Sequence, residues 1–293
     1  MTPSGPASRA PTVGDLLRAA EARLGAAGMP EPRREALTLW AALTRTSAGA
    51  AWAGRAAAPT PEMARSFADA AATRGTGAPL AYAAGTAAFR SLEVAVDPRV
   101  LIPRPETEGL VEHVLSWCRA RGRWGVAADI GTGSGCIALS LASEGAFDRV
   151  IATDVSEAAL AVAARNAAAV APHTPVEFRA GDLLWPIGPE QVDVLVSNPP
   201  YVTADEWTAL EAGVREHEPR MALVGGEDGL AHVRGLLRQA VSRLREGGLL
   251  ALEVDCRRAG RTLACARAYG WMTARIAPDL FGRERYLLAT RET

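Results

Sequence analysis

From residue 106 onward, short apolar runs alternate with stretches of helical period, and this alternation limits the folds open to the chain more than any other feature. The runs predict strands at 126–130, 149–153, 176–178, 192–197, 249–254, 272–276 and 285–290. Between them the spacing predicts helices over 106–121, 134–144, 156–170, 229–245 and 259–268. Strand and helix in this order build an α/β fold with a doubly wound, mostly parallel sheet. In such sheets ligands bind outside the carboxyl ends of the strands. The residues just after each strand therefore carry the functional argument.

The segment ahead of the sheet differs. Residues 1–11 are rich in Pro, Ser and Ala and read as a disordered tail. Thr12 can cap a helix with Val13, Leu16, Leu17, Ala20 and Leu24 on one face, stopped by Gly28. A second helix carries Leu37, Trp40, Ala41 and Leu43. A third starts at Thr60-Pro61, a cap with proline in the first helical position, and carries Met63, Phe67 and Ala70. Residues 12–85 thus read as a small helical domain with a packed face and no chemical constellation. Residues 86–105 change character again: Leu92 to Val96 alternate like a strand, and Val100-Leu101-Ile102 precede Pro103-Arg104-Pro105. They read as a hairpin linker, leaving 106–293 for the sheet domain.

Bulk properties narrow the chemistry. A net charge of −1 gives no reason to expect binding to nucleic acid through phosphates. The four cysteines form no C-x-x-C pair, and the four histidines have no zinc spacing, so no metal is expected. No basic segment leads into an apolar core at the start, and no run of about 18 apolar residues occurs. The expectation is a cytoplasmic protein without a membrane partner.

The first strand of the sheet ends Asp129-Ile130 and continues Gly131-Thr132-Gly133-Ser134-Gly135-Cys136. Glycines there let a ligand approach the backbone closely. A dinucleotide fingerprint needs glycine where Cys136 stands. Glycine in alternate positions after an acidic residue is the form of S-adenosylmethionine-dependent methyltransferases. That cofactor carries no pyrophosphate, and its ammonium suits Asp129, which would repel a phosphate. Asp154 ends the second strand, 19 residues after Gly135, where a carboxylate can accept both ribose hydroxyls. Asp182, before Leu183, comes after the third strand and can accept from an adenine amino group. Asp154 also reads as a helix cap and Asp182 as a turn residue. Their order along successive strand ends makes them support each other.

The fourth strand closes on Asn198-Pro199-Pro200-Tyr201. The Asn198 amide oxygen and the Pro199 carbonyl are two acceptors in a rigid turn, and Pro200 offers no N–H. Two acceptors side by side suit a planar NH2 group with two donors, in an amide or an exocyclic amine. A plain strand-ending turn has the same spelling.

Taken together, Leu101 to Glu108 (Leu-Ile-Pro-Arg-Pro-Glu-Thr-Glu), Asp129 to Gly135 and Asn198 to Tyr201 resemble the HemK/PrmC family of peptide-chain-release-factor glutamine N5-methyltransferases. The segments Gly77–Tyr82, Glu218–Leu223, Gly225–Leu230 and Asp279–Arg285 extend the resemblance from about residue 30 to the end. Two places depart from it: Val254-Asp255-Cys256 stands where Gly and Gln are frequent, and Tyr82-Ala83-Ala84-Gly85 lacks a larger apolar residue.

The resemblance implies a five-helix N-terminal domain, a hairpin linker and a Rossmann-like, seven-stranded class I methyltransferase domain. It implies S-adenosylmethionine as methyl donor, leaving as S-adenosylhomocysteine, and the Gly-Gly-Gln glutamine of class 1 release factors as acceptor. Asn198 and Pro199 then act catalytically, and Pro200, Tyr201 and Leu101 complete the substrate slot. The cofactor falls to Asp129, Gly131, Thr132, Gly133, Ser134, Gly135, Asp154, Asp182, Leu183, Asn198 and Thr107. Glu106 and Glu108 invite the role of base, but acidic residues also favour a helix start, and that reading is preferred for Glu108. The helical domain is expected to recognise the protein substrate, with no stable nucleic-acid partner. A ribosomal-protein glutamine, a nucleic-acid base amine and a non-catalytic scaffold are the alternatives.

Overall fold

The computed structural model describes residues 10–292, so most of the tail expected over 1–11 lies outside the described residues. The chain divides into two compact units.

The first unit holds α1 (Val13–Ala26), α2 (Pro32–Thr44), α3 (Ala48–Ala53), α4 (Pro61–Gly75) and α5 (Leu80–Ala84). Thr12 caps α1 as expected, and Asp15 returns the bond: its carboxylate accepts from Thr12 N at 2.8 Å. Thr60 likewise caps α4. Leu17, Leu24, Leu39, Trp40 and Phe67 form the core, with Trp40 edge-on to Phe67 at 5.0 Å. The two helices that periodicity missed, α3 and α5, are six and five residues long, too short to express a period. One later helix, Ala212–His217, also belongs to this unit, and a side chain at Gly213 would press on the Gly77 carbonyl.

The second unit opens with the hairpin of β1 (Thr86–Phe89) and β2 (Leu92–Ala95). The sheet and its helices come next: α6 (Pro105–Arg121), β3 (Val126–Ile130), α7 (Cys136–Glu144), β4 (Arg149–Asp154), α8 (Glu157–Val170), β5 (Val176–Ala180), β6 (Val192–Ser197) and α9 (Ala204–Thr208). After the helix at 212–217, which is α10, come α11 (Ala231–Arg243), β7 (Leu244–Glu253), α12 (Ala259–Ala268), β8 (Arg275–Pro278) and β9 (Glu284–Thr290). The seven strands lie in the order β5-β4-β3-β6-β7-β9-β8. The first five run parallel, and β9 is antiparallel to both β7 and β8. The α/β fold, the hairpin and the seven-stranded sheet are those expected.

Every residue of β3 and β6 is buried, as interior parallel strands require. The chain winds outward from β3 to β5, then restarts beside β3 with β6. The carboxyl ends of β3 and β6 therefore flank the switch point where such sheets hold ligands.

Several boundaries differ from the sequence reading, three of them by two residues or more at the start of an element with a visible local feature. Helix α7 starts at Cys136, not 134, because Gly135 has φ +84° and cannot join a right-handed helix. The strand expected at 272–276 begins at Arg275, because buried Trp271 donates to Leu237 O at 3.0 Å and holds the preceding turn. Strand β7 starts at Leu244, with a register shift against Val192–Val194 before its regular part.

Candidate active site

A cleft opens at the carboxyl ends of β3, β4 and β6, the place where such sheets hold ligands. Gly131, Gly133, Asp154, Asp182, Leu183, Asn198, Pro199, Pro200 and Leu101 all line it. The strand ends thus bring most of the sequence-derived residues to one place.

The glycines divide by role. Gly131 and Gly133 have φ of +73° and +55°, and a β-carbon on either would meet nothing within 4 Å. They leave an open cradle of backbone. Gly135 faces the other way, where a β-carbon would come 3.2 Å from Ala163 Cβ. It lets α7 pack closely on α8 and does not line the cleft.

Asp154 ties the cradle to β4. One oxygen accepts from Gly133 N and the other from Ser156 N, both at 2.9 Å. Each oxygen keeps a lone pair for a hydroxyl. Asp182 is exposed at the cleft, and its carboxylate takes no hydrogen bond from the described residues. Leu183 has φ +46°, an unusual backbone for leucine. Its side chain lies over Gly235 of α11, where a β-carbon would displace it.

Asp129 sits deeper than its sequence position suggests. It is fully buried and is not part of the cleft lining. Thr132 Oγ1 donates to Asp129 Oδ2 at 2.6 Å, and Ala138 N donates to the same atom at 3.1 Å. Oδ1 has no partner among the described residues. Burial pushes the carboxyl up to about 7, the Asp154 charge adds to this, and the two hydrogen bonds oppose it. Thr132 and Ser134 are turned inward, so the loop meets the cleft through Gly131 and Gly133. An unsatisfied buried carboxylate oxygen behind an open glycine cradle fits a cationic amino-acid tail.

At the end of β6, Asn198 Nδ2 donates to Thr107 Oγ1 at 3.0 Å, and Thr107 Oγ1 donates to Glu253 Oε2 at 2.7 Å. Asn198 Oδ1 and the Pro199 carbonyl take no hydrogen bond from the described residues. Thr107, expected to touch cofactor, is 3% exposed and lies behind Asn198 instead. Tyr201 is half-buried, outside the cleft lining, with burial holding its phenol above the usual range. The turn is backed by residues 223–229. Val202 exchanges backbone bonds with Leu223 and Gly225, and a side chain at Gly225 would strike the backbone of Pro200 and Tyr201. Leu101 is fixed through its neighbours: Glu218, 5% exposed, pairs with Arg104 at 2.6 Å and accepts from Ile102 N.

Comparison with known proteins identifies the family. The PrmC N-terminal domain matches residues 15–85, and the Methyltransferase small domain matches residues 107–215. The release factor glutamine methyltransferase of Moorella thermoacetica is 43% identical over 284 residues, covering 96% of this chain and 99% of that one. That of Cereibacter sphaeroides is 40% identical over 275 residues, covering 94% and 97%. The chain belongs to the release factor glutamine methyltransferase family. For this methyltransferase, solved structures carry the fold alone. A Pyrococcus furiosus methyltransferase has a TM-score of 0.53 at 20% identity, over 80% of this chain and all of that one. The N-terminal domain of human METTL16, in complex with SAH, has 0.51 at 16%, over 82% and 87%.

Sequence reasoning missed four residues in or behind the candidate site. Glu253 ends the apolar run of β7, and that lone charge was the signal for it. Glu218 and Gly225 stand in segments that carried the resemblance without a role of their own. His232 of α11 lines the cleft, with its buried Nδ1 unpartnered among the described residues; no spacing pointed to it. Glu108, in contrast, is used structurally, accepting from Arg90 N at 3.0 Å.

Proposed function

We propose that this chain transfers the methyl group of S-adenosylmethionine to the side-chain amide nitrogen of the Gly-Gly-Gln glutamine in class 1 peptide chain release factors. One observation carries the reading: two unengaged acceptors, Asn198 Oδ1 and Pro199 O, stand at the rim of the glycine-cradled cleft. S-adenosylmethionine supplies an electrophilic methyl on a sulfonium and departs as S-adenosylhomocysteine. Asp154 would hold its ribose hydroxyls and Asp182 its adenine amino group. Gly131 and Gly133 would admit the amino-acid tail toward Asp129, and Leu183 would give an apolar wall.

An amide nitrogen is a weak nucleophile because its lone pair is shared with the carbonyl. The protein's contribution is therefore positioning. Asn198 Oδ1 and Pro199 O accept the two N–H groups of the glutamine, leaving the nitrogen face toward the methyl. Leu101 and Pro200 wall the slot against water, and Tyr201 supports the turn. As the nitrogen–carbon bond forms and the sulfur–carbon bond breaks, positive charge develops on nitrogen, and the same two acceptors stabilise it. The alkylated nitrogen is strongly acidic and loses its proton to water, so no side-chain base is assigned. The four free thiols fit a reducing compartment such as the cytoplasm. No helix among the described residues is long and apolar enough to cross a membrane.

The test supplies purified protein with labelled cofactor and, in parallel, a class 1 release factor, its Gln→Ala loop variant, ribosomal proteins and DNA. Label is expected in the unaltered release factor alone. Asn198→Ala should lower turnover by about 10²-fold or more, since losing a preorganised contact at the reacting group costs about 2.7–4 kcal/mol. Label in DNA or ribosomal protein instead, or wild-type turnover by Asn198→Ala, would refute the reading.

A further inference from the structure

Asn198 can offer its oxygen to a substrate only if its amide is held the right way round. An amide is nearly symmetric in shape, and rotation by 180° exchanges its acceptor for its donors. Behind Asn198 stands Thr107 Oγ1, at 3.0 Å from Nδ2, and behind that Glu253 Oε2, at 2.7 Å from Oγ1. Thr107 and Glu253 are 3% and 1% exposed, and neither lines the cleft. A threonine hydroxyl has one hydrogen. Against an ionised carboxylate, which only accepts, that hydrogen goes to Glu253. The hydroxyl oxygen can then only accept, so the Asn198 atom facing it must be the NH2. Polarity at the buried end thereby sets polarity at the cleft.

We propose that Glu253 and Thr107 are positioning residues for methyl transfer, locking the Asn198 amide so that its oxygen, not its NH2, meets the substrate amide. The inference rests on the reading of Asn198 as acceptor of the glutamine N–H. Reversed, Asn198 would set two donors against two donors. The NH2 of a glutamine would then be repelled from the place where it must react.

The lock depends on Glu253 being ionised. A protonated Glu253 donates to Thr107, freeing the threonine hydrogen to bond Asn198 Oδ1, and the whole chain reverses. The groups around Glu253 come from every packed element. They are Arg104 ahead of α6, Glu106 and Thr107 on α6, Cys136 on α7, Tyr201 in the turn, and Arg285 and Tyr286 on β9. Burial pushes the Glu253 carboxyl up to about 7 and Glu106 adds to this. The Thr107 hydrogen bond, Arg285 and Arg104 act against it. Cys136, Tyr201 and Tyr286 are themselves pushed up, so they stay neutral across the same range. Turnover should therefore rise with pH as Glu253 ionises.

Two substitutions in the full-length protein separate positioning from packing. Thr107→Val keeps the shape and removes the hydroxyl; Thr107→Ser keeps the hydroxyl and removes the methyl. Positioning requires kcat to fall by about 10-fold or more in Thr107→Val, with KM for the release factor and cofactor affinity near wild type. Thr107→Ser should retain most of its turnover. A merely structural role predicts the opposite order, because the lost methyl leaves a void. Glu253→Gln, whose amide both donates and accepts, should lose the rise of kcat near pH 7. Wild-type kcat in Thr107→Val beside an inactive Asn198→Ala overturns this inference and leaves the function intact. Failure of the wild type to methylate any release factor overturns both. If Thr107→Val does not fold, the pH profile decides, and a wild-type rise in Glu253→Gln overturns the proposal.

Discussion

Gly225 offers a test of positioning from behind the site, where no ligand is touched. A β-carbon there would lie 2.9 Å from Pro200 C and from Tyr201 Cα, and closer still to the Pro200 carbonyl oxygen. Ordinary contact begins at 3.4 Å, so the approach is at least half an ångström too close. All three neighbours are backbone and cannot swing aside as a side-chain end can. Gly225→Ala must therefore push the Asn198–Tyr201 turn away from residues 223–229 by roughly half to one ångström. Misplacement of about 1 Å costs up to about 10²-fold in rate, so kcat toward a release factor should drop about 10- to 100-fold. Cofactor affinity should hold, since Gly131 and Gly133 follow β3 and Asp154 ends β4, not β6. Turnover of labelled cofactor reads the first quantity, calorimetry the second, and a melting curve confirms the fold. Gly260→Ala is the control, because a β-carbon there meets nothing within 4 Å. A folded Gly225→Ala protein with wild-type kcat would refute the claim that this loop sets the turn.

Two further outcomes concern the carboxylates. Asp154→Ala should weaken cofactor binding by about 1.5–3 kcal/mol, as for a lost charge-assisted hydrogen bond, and unchanged affinity by calorimetry would remove Asp154 from the ribose site. Asp129 loses its proton near its ordinary 3.8 when unfolded and near 7 when folded. Between those values the folded state holds the extra proton, so stability falls as pH rises from about 4 to 7. Melting curves of Asp129→Asn should lack that component of the decline, which is on the order of a few kcal/mol; identical pH dependence in both proteins would contradict it.

The legible parts of the sequence were those where local pattern and burial coincide. Strands β3 and β6 were read to their ends because every residue in them is buried. The end of a strand places the next few residues at the sheet edge, so Gly131, Gly133, Asp154, Asp182 and Asn198 were found together. Helices α3, α5, α9 and α10 were not, since each spans six residues or fewer. Nor was depth legible. Asp129 and Thr107 were located in the sequence, but whether they face the cleft or stand behind it depends on packing. Thr107 and Glu253 are 146 residues apart, and no period connects them.

The helical unit is discontinuous in the chain, and this bears on how the protein is made. Helices α1 to α5 leave the ribosome first, but α10 emerges only after the strands up to β6 have been synthesised. Chains grow at about 5–20 residues per second, so for several seconds the nascent bundle lacks the helix whose Gly213 lies against the Gly77 carbonyl. Its completion waits on the chain that builds β3 to β6, and the last three strands of the sheet come later still.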